Sequence, residues 1–548
     1  MSDVEKVPSR SLVEVTDLTV EFGDLRAVDG LSLRLERGAA LALVGESGSG
    51  KSTVASALLG LHRGTGARVG GAIDVAGVDV QQASDEQLRR LRGGKAAMVF
   101  QDPLSSLDPY YAIGDQIAEV HRVHTRATRR AARARAVEVL DRVGIPDALR
   151  RSRSRPHEFS GGMRQRALIA MALACEPDLL IADEPTTALD VTVQAQILDL
   201  LHTLREETGM GLLLVTHDVG VAAESVDEVL VMRHGRAVEH GPVSAVLGSP
   251  AQPYTRELLG AVPRVDAATR ARSESSEGPA DVVLEATGLR REFGRGKRAF
   301  TAVDDVSLTI RRGETLGIVG ESGSGKTTLG RMLVGLLEPT AGEVRHEGHA
   351  RVGVDPAVQM VFQDPVSSLN PRRSVGESIA DPLRARGESD EGRIHERVRE
   401  LLERVGLEAA HYDRYPHEFS GGQRQRVGIA RALAADPRVI VCDEPVSALD
   451  VTTQAQVVAL LGELQRELGL ALVFVAHDLA VVRQVSDRVA VMRRGRIVEE
   501  GPADAVYDSP QDPYTKQLLA AVPALDPLIA AQRRGARREL AVVSAVQV

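Results

Sequence analysis

A nine-residue segment occurs twice in this chain of 548 residues. GESGSGKST runs from Gly45 to Thr53, and GESGSGKTT runs from Gly320 to Thr328. Both copies fit the pattern G-x-x-x-x-G-K-[ST], between an apolar run that predicts a strand and a stretch that predicts a helix. Glycines in such a loop let backbone N–H groups face phosphate oxygens, and the start of the next helix adds partial positive charge. The duplication therefore predicts two phosphate-binding loops in two similar domains.

Both loops supply candidate ligands for a nucleotide. The lysine would reach the β- and γ-phosphates, and the hydroxyl residue after it would ligate Mg²⁺. The predicted ligands are Gly45, Gly48, Ser49, Gly50, Lys51, Ser52 and Thr53 in the first loop, and Gly320, Gly323, Ser324, Gly325, Lys326, Thr327 and Thr328 in the second.

Four later landmarks are also duplicated, in the same order. The second copy follows the first by 275 residues at the loop lysines, by 262 at a Gln-Asp-Pro segment, and by 260 at the other three landmarks. The second copy is therefore 13 residues shorter between the lysine and the glutamine (275 − 262), where a surface β-subdomain can shrink without disturbing the site. The landmarks are the glutamines Gln101 and Gln363, the Ser-Gly-Gly runs at Ser160 and Ser420, the strand ends Asp183-Glu184 and Asp443-Glu444, and the histidines His217 and His477.

This set of residues predicts hydrolysis of a nucleoside triphosphate. An aspartate at the end of an apolar strand holds Mg²⁺ directly or through water in phosphate-loop enzymes. The glutamate that follows it is the candidate for polarising the attacking water, and each histidine lies 33 residues beyond its glutamate. The predicted catalytic residues are Glu184, His217 and Gln101 in the first copy and Glu444, His477 and Gln363 in the second.

Length and composition bound the class of protein. Each repeat of roughly 260 residues can bury its own core. We expect no membrane-spanning segment, because the longest apolar stretches fall well short of the ~20 residues that a bilayer requires. The polar N-terminus predicts no secretion signal. The cysteines Cys175 and Cys442, predicted to lie in the helix after the first Ser-Gly-Gly run and in the strand before Asp443, fit a reducing compartment. A net charge of −9 argues against a general nucleic-acid binder.

The order of the elements predicts a mostly parallel α/β core in each repeat, because short β-branched runs alternate with helical stretches. We place the first domain at residues 1–263 and the second at residues 282–523. Between them, residues 264–281 have the polar, Ser- and Glu-rich composition of a flexible linker. Residues 524–548 form a basic and then apolar tail.

Each repeat contains, in the same order, a phosphate loop, the Gln-Asp-Pro segment (a Q-loop), a Ser-Gly-Gly signature, an Asp-Glu strand end and a switch histidine. This arrangement resembles that of the ATP-binding-cassette ATPases. The resemblance covers nearly the whole chain. It implies two tandem P-loop ATPase domains, each with a RecA-like α/β core, a β-subdomain and a helical signature subdomain. It also implies ATP and Mg²⁺ as cofactors. The metal ligands that it implies are Ser52, Gln101 and Asp183, with Thr327, Gln363 and Asp443.

In that family each phosphate loop faces the signature of the other cassette, so that two ATP molecules lie between them. The resemblance therefore implies that Ser420, Gly421 and Gly422 complete the first site, and that Ser160, Gly161 and Gly162 complete the second. Adenine would stack on Phe22 in the first site. In the second site Phe293 is the counterpart by local sequence, and Phe300 competes with it. Met163 stands where the second signature has Gln423, which predicts a modest asymmetry.

Each repeat ends in a second mark, SPAQPYTRELLGAVP from Ser249 and SPQDPYTKQLLAAVP from Ser509. With the QDPxSSLxP segments, these resemble the oligopeptide, dipeptide and nickel importer ATPases. The resemblance implies two membrane permeases and an extracytoplasmic solute-binding protein as partners, no nucleic acid, and a peripheral location on the cytoplasmic membrane face. We expect short peptides as cargo, with nickel and glutathione-like solutes as alternatives. A twin-cassette protein of translation or DNA repair is less consistent, because a long basic linker and zinc-finger cysteines are absent.

Overall fold

The computed structural model describes residues 11–187, 189–265, 281–294, 299–364, 368–447, 449–526, 529–530, 532–535 and 537. The chain divides into two compact units. Unit 1 comprises Met1–Leu189, Val193–Ala261 and Pro523–Val548, and unit 2 comprises Asp190–Thr192 and Val262–Val522. Most of the predicted linker, residues 266–280, lies outside the described residues, as does much of the predicted tail.

The core of unit 1 is a six-stranded sheet of order β10-β9-β3-β8-β7-β6, in which only the β9–β10 pairing is antiparallel. A four-stranded antiparallel sheet of order β2-β1-β4-β5 forms the predicted β-subdomain. The strands are β1 Val13–Phe22, β2 Leu25–Leu35, β3 Ala40–Val44, β4 Arg68–Val75, β5 Val78–Asp79, β6 Ala96–Val99, β7 Leu179–Asp183, β8 Gly211–Thr216, β9 Glu228–Arg233 and β10 Arg236–Pro242.

Helices of unit 1 cover the sheet and build the predicted helical subdomain. They are α1 Lys51–Leu58, α2 Asp85–Leu91, α3 Pro103–Ser106, α4 Ile113–Thr125, α5 Arg129–Arg142, α6 Ala148–Arg151, α7 Gly161–Leu173, α8 Val191–Thr208, α9 Val219–Ser225, α10 Val243–Gly248 and α11 Pro253–Ala261, with a short 3-10 helix at Pro156–Glu158.

Unit 2 repeats this architecture, with sheets of order β16-β17-β18-β13-β19-β20 and β12-β11-β14-β15. Its strands are β11 Val282–Phe293, β12 Phe300–Arg311, β13 Thr315–Val319, β14 Ala341–His346, β15 His349–Ala350, β16 Val358–Val361, β17 Val439–Asp443, β18 Ala471–Val475, β19 Arg488–Arg493 and β20 Arg496–Pro502. Its helices are α12 Lys326–Leu333, α13 Val375–Ala385, α14 Glu391–Arg404, α15 Gly421–Ala434, α16 Val451–Leu468, α17 Leu479–Val485, α18 Ala503–Asp508 and α19 Pro513–Ala520, with 3-10 helices at Ala409–Asp413 and Pro416–Glu418.

The central strands explain the apolar runs in the sequence. Every residue of β3, β7 and β8 is buried, as is every residue of β13, β17 and β18. Strands of a parallel sheet are covered on both faces, so continuous apolar runs replace the alternation seen in half-exposed strands. The predicted α/β fold class with two phosphate-loop domains is confirmed, and the sheet brings the ends of β3 and β7 to one edge, separated by β8.

The shorter second copy corresponds to a missing helix. In unit 1 α2 lies between the β-subdomain and β6, and its Leu88 and Leu91 are buried. In unit 2 the described residues 351–357 join β15 to β16 without a helix. Both β-subdomains keep four strands, so the deletion lies between the loop lysine and the glutamine as the spacing indicates, but mainly after the β-subdomain and not within it.

One placement needs correction. The signature helix α7 ends at Leu173, so Cys175 lies beyond it and is only partly buried, whereas Cys442 is buried in β17 as expected. Glu176 takes a left-handed backbone conformation with φ of 53°, and the proline that follows has no N–H to continue the helix. Within the described residues, no helix combines the length and apolar character needed to cross a membrane.

Candidate active site

The phosphate loop of unit 1 connects β3 to α1 in a conformation that requires glycine. Gly50 caps α1 with φ of 98°, and a Cβ atom on it would lie 2.5 Å from the carbonyl oxygen of Ala27. A Cβ atom on Gly45 would lie 2.2 Å from the carbonyl oxygen of Met232. Gly325 and Gly320 repeat both features in unit 2. The loop is therefore pressed against its own unit, and only glycine allows that approach.

The loop lysines are buried and point back along their loops. Lys51 Nζ donates hydrogen bonds to the carbonyl oxygens of Gly45 and Glu46, each at 2.8 Å. Lys326 Nζ does the same to Gly320 at 2.7 Å and Glu321 at 2.9 Å. Burial lowers the pKa of Lys326, although nearby carboxylates oppose that effect. The lysine charge is therefore held at the loop, where an anionic phosphate gains most from it.

A hydroxyl and a carboxylate meet at the carboxyl edge of each core sheet. Ser52 Oγ donates to Asp183 Oδ1 at 3.0 Å, and Thr327 Oγ1 donates to Asp443 Oδ1 at 3.0 Å. Burial raises the pKa of both aspartates, because the charged form loses solvation there. Hard oxygen ligands beside a phosphate loop suit Mg²⁺, which takes few protein ligands and shares substrate phosphates. The residues present therefore fit that ion.

The glutamate after each aspartate has an unusual backbone. Glu184 has φ of 47° and Glu444 has φ of 46°, which is the left-handed region. The N–H of Glu184 donates to the carbonyl oxygen of Val215 at 2.8 Å, and that of Glu444 donates to Val475 at the same distance. These bonds to the neighbouring strand hold the strained backbone at each glutamate.

The carboxylate of Glu184 accepts hydrogen bonds from three side chains. Gln101 Nε2 donates at 2.7 Å, Thr187 Oγ1 at 2.9 Å, and His217 Nδ1 lies 3.1 Å from Oε1. The structure therefore brings together the predicted glutamine, glutamate and histidine of unit 1, although 83 residues separate Gln101 from Glu184. Thr187 was not predicted.

Unit 2 repeats most of this network. Gln363 Nε2 donates to Glu444 Oε2 at 2.8 Å, and His477 Nδ1 lies 3.3 Å from the same oxygen. Ser447 occupies the place of Thr187, but its hydroxyl donates to the backbone oxygen of Glu444 at 3.2 Å. When the two repeats are aligned, Thr187 falls opposite Ser447. This change of residue was the sequence signal for the different hydrogen bond.

The histidine and the glutamate shift each other's titration. Burial alone would raise the pKa of Glu184, but the hydrogen bond and charge of His217 outweigh it, and the pKa lies below its ordinary value. The hydrogen bond to Glu184 raises the pKa of His217 above its ordinary value. In unit 2 burial opposes the charge on His477, yet its bond to Glu444 still raises the pKa. Each pair is therefore biased toward a protonated imidazole beside an ionised carboxylate.

Each signature serine begins a helix. Ser160 Oγ accepts from the N–H of Met163 at 3.4 Å, and Ser420 Oγ accepts from that of Gln423 at 3.3 Å. Gln423 Oε1 also accepts from the N–H of Ser420 at 2.9 Å, a reciprocal bond that methionine cannot make. The two signature helices therefore differ in their caps, and an asymmetry between the two ATP sites stays a prediction. The prediction that each signature completes the other unit's ATP site concerns the relation between the units and stays a prediction.

The predicted adenine platforms lie at the ends of β1 and β11. Phe22 packs edge-on against His62, with ring centroids 5.4 Å apart, and His62 Nε2 lies 3.0 Å from the carbonyl oxygen of Thr53. Phe22 is therefore linked to the first turn of α1. Phe293 and Phe300 stack on each other at 5.6 Å, so the choice between them in unit 2 stays open.

Comparison with known proteins identifies the family of the chain. The family model for ABC transporters matches residues 28–187 and 303–447. The model for the oligopeptide/dipeptide transporter C-terminal region matches residues 238–286 and 498–544. The chain is 46% identical to a glutathione import ATP-binding protein of Salmonella choleraesuis, over 96% of this chain and 92% of that one. Identity to the protein of the same name in Escherichia coli K12 is 45%, with the same coverage.

Two solved cassettes also match single regions of the chain. A dimeric ATP-binding cassette, MJ0796 with ADP and phosphate bound, is 32% identical and covers 40% of this chain and 98% of its own, with a TM-score of 0.37. CbiO1 of Clostridium perfringens is 30% identical and covers 42% of this chain and 92% of its own, with a TM-score of 0.38.

The fold and the paired sites define a nucleotide-hydrolysing protein of the phosphate-loop class. The family models cover more than half of the chain, and the chain belongs to the ABC transporter ATP-binding proteins, with two cassettes in one polypeptide. It is an ATPase, and both of its units match the family model.

Proposed function

We propose that this chain is the motor subunit of an importer for a small peptide-like solute, and that both units hydrolyse ATP. The observation that carries this proposal is the hydrogen-bonded group Gln101, Glu184 and His217, which recurs as Gln363, Glu444 and His477. A structural nucleotide site has no need of a carboxylate held ready in this way. Two such carboxylates support two working sites.

The glutamate acts as the group that orients and polarises the attacking water. Its ionised form is favoured by the neighbouring histidine, which also limits rotation of the carboxylate. Gln101 holds the other oxygen of Glu184 from the segment that follows β6. A positioned base of this kind contributes a rate factor of about 10²–10⁴.

Lys51 and Lys326 bind the β- and γ-phosphates and offset the charge that spreads over the γ-phosphoryl oxygens during transfer. Ser52 and Asp183 would hold Mg²⁺ in unit 1, and Thr327 and Asp443 would hold it in unit 2. When bound, Mg²⁺ neutralises phosphate charge and orients the triphosphate. Gln101 and Gln363 contact the glutamates here, and their part in holding the metal stays a proposal.

The cargo is inferred from relatives. Proteins 45–46% identical to this chain over 96% of its length are named for glutathione import, and the C-terminal regions match an oligopeptide and dipeptide transporter model. Glutathione is itself a small peptide, so the two comparisons agree on a peptide-like solute. We propose two permeases as direct partners, a solute-binding protein acting through them, and a peripheral position on the cytoplasmic membrane face.

The test is uptake in a strain that lacks other peptide importers. Replacing the gene with a Lys51→Ala, Lys326→Ala version should abolish uptake of labelled glutathione or of labelled di- to pentapeptides, while the protein level stays unchanged. Loss of glutathione uptake alone would narrow the cargo to glutathione. Unchanged uptake of all these solutes would contradict the proposed cargo.

A further inference from the structure

The Pro-Tyr-Thr segment that ends each unit reaches its own phosphate loop. In unit 2 the buried Tyr514 lies in the first turn of α19, and its hydroxyl oxygen accepts a hydrogen bond from the backbone N–H of Glu321 at 3.0 Å. Glu321 is the second residue of the phosphate loop. A contact across 193 residues of sequence thus ends on the backbone that must bind phosphate.

Two further contacts fix the tyrosine in place. The guanidinium carbon of Arg493 lies 4.7 Å from the centroid of the Tyr514 ring. Two residues later, the N–H of Gly495 donates to the carbonyl oxygen of Ser324, also in the loop, at 2.9 Å. The last residue of β19 therefore contacts the tyrosine, and the turn after β19 contacts the loop, so the three parts form one packed group.

The start of α19 is clamped by a carboxylate of the neighbouring hairpin. Glu499 in β20 accepts hydrogen bonds from the N–H groups of Gln511 at 2.7 Å and Asp512 at 3.1 Å. Asp512 in turn caps the helix by accepting from the N–H of Tyr514 at 2.7 Å. The position of the tyrosine is therefore set by backbone bonds on its own side as well as by the loop.

Unit 1 contains the same arrangement in a looser form. Arg233 lies over the buried Tyr254 at 4.5 Å, and the N–H of Gly235 donates to Ser49 at 3.1 Å. Glu239 accepts from the N–H groups preceding α11 at 2.8 and 3.2 Å. The Tyr254 hydroxyl faces the backbone of Glu46 but falls outside strict hydrogen-bond geometry.

We propose that Tyr514 and Tyr254 are positioning residues of the phosphate loops. The Tyr514 hydroxyl fixes the peptide between Gly320 and Glu321, so that the remaining N–H groups of that loop converge on phosphate without reordering when ATP binds. Tyr254 holds the first loop by packing and more loosely, because its hydroxyl is outside hydrogen-bond geometry. This role rests on the ATP sites proposed above. The Pro-Tyr-Thr segment then takes part in nucleotide binding by positioning the loop. This role is separate from those of the phosphate-loop motif and the Asp-Glu strand end.

The variant Tyr514→Phe removes the hydroxyl and keeps the ring and its stacking on Arg493. Without its acceptor the partly buried Glu321 N–H loses its hydrogen bond, so the loop relaxes and MgATP affinity falls by about tenfold. The loop binds substrate and transition state alike, so KM for ATP should rise while kcat stays within about twofold. Binding of a fluorescent ATP analogue, measured in a Lys51→Ala background, isolates unit 2.

Two comparisons make the result decisive. Tyr412→Phe removes a hydroxyl that donates to Glu377 in the helical subdomain, and it should leave ATP affinity unchanged. Tyr254→Phe, in a Lys326→Ala background, should weaken binding by less than Tyr514→Phe. If Tyr514→Phe lowers the melting temperature but leaves ATP affinity intact, the tyrosine only packs the helix and the proposal is wrong. Solute uptake does not enter this test, so the proposed cargo can fail independently.

Discussion

The two units hold the same carboxylate with different numbers of side chains. Glu184 accepts from Gln101, His217 and Thr187, whereas the described side chains that reach the Glu444 carboxylate are Gln363 and His477. The groups proposed to do chemistry are preserved, and the groups that support them differ. A duplicated ATPase can therefore keep two working sites and still divide its turnover unequally.

A second difference lies at the signature helices, and it favours the other unit. Ser420 and Gln423 satisfy each other's backbone N–H groups, whereas Ser160 forms only its half of that arrangement with Met163. The better supported carboxylate and the better capped signature thus occur in different units. Counted unit by unit, the two differences therefore point in opposite directions, and substitutions at each position can separate them.

The largest effect is expected at the glutamates. Glu184→Gln and Glu444→Gln each keep the hydrogen-bonding shape but lose the charge, and each should remove hydrolysis at its own site. The double variant should turn over ATP about 10²–10⁴ times more slowly than the wild type, as measured by phosphate release. Glu86→Gln, an exposed position in α2, is the control. Full turnover in one single variant would show that only one site works.

Thr187 tests whether the additional hydrogen bond matters. Thr187→Val removes one donor from the Glu184 carboxylate, and a bond to a charged group contributes about 1.5–3 kcal/mol at most. We expect a drop of about three- to tenfold at that site, measured by phosphate release in a Glu444→Gln background. The matched control is Ser447→Ala in a Glu184→Gln background, because that hydroxyl bonds to the backbone and not to the carboxylate. Equal losses of phosphate release in both variants would show that the additional hydrogen bond to Glu184 does not distinguish the two units.

The His–Glu pairs predict a pH dependence of stability. The pKa of His217 is raised, so its contribution is complete below the ordinary value of 6.5 and is lost as pH rises through the raised pKa. The pKa of Glu184 is lowered, so its contribution is present above 4.5 and is lost as pH falls through the lowered pKa. The pair therefore stabilises unit 1 most between about pH 4.5 and 6.5.

The measurement is the difference in melting temperature between the wild type and His217→Gln. One third of the His217 side chain is exposed, so we expect about 1 kcal/mol near pH 6, or about 2–4 °C, and less at pH 9. His477→Gln should follow the same profile, since its geometry is similar. A difference that grows toward high pH would contradict the charged-pair interpretation.

The smallest effect is expected at the signature caps. Gln423→Met breaks the reciprocal bond with Ser420 and should destabilise unit 2 by about 0.5–1 kcal/mol, whereas Met163→Gln should stabilise unit 1 by no more than that. Thermal denaturation of both variants checks the opposite signs. Melting temperatures that shift in the same direction in both variants would show that the reciprocal cap does not account for the difference between the two signature helices.

Much of each site could be predicted because its residues lie at fixed places in a parallel sheet. Asp183 ends β7, Glu184 follows it, and His217 follows β8, so strand order alone brings them to one edge. Other contacts could not be predicted. The hydrogen bond from Thr187 depends on the turn at Glu184, and the one from Glu321 to Tyr514 depends on how a distant helix packs.

The spacing between landmarks predicted where the second copy is shorter, but not what is lost there. Thirteen residues could have shortened a loop, a hairpin or a helix with equal effect on the numbering. The structure identifies α2, whose Leu88 and Leu91 are buried in unit 1. Local sequence also favoured a signature helix that includes Cys175, whereas the helix ends at Leu173, before the left-handed residue that precedes the proline.

The left-handed backbone at Glu184 and Glu444 sets folding stability against activity when these positions mutate during evolution. A non-glycine residue held in this conformation is strained by about 1–3 kcal/mol, and glycine would relieve much of that strain. The same substitution would remove the carboxylate proposed to polarise water, so a gain in folding stability at this position would be accompanied by loss of the proposed turnover in that half. A duplicated ATPase therefore drifts easily toward one silent half, and keeping both glutamates requires continued selection for turnover in both.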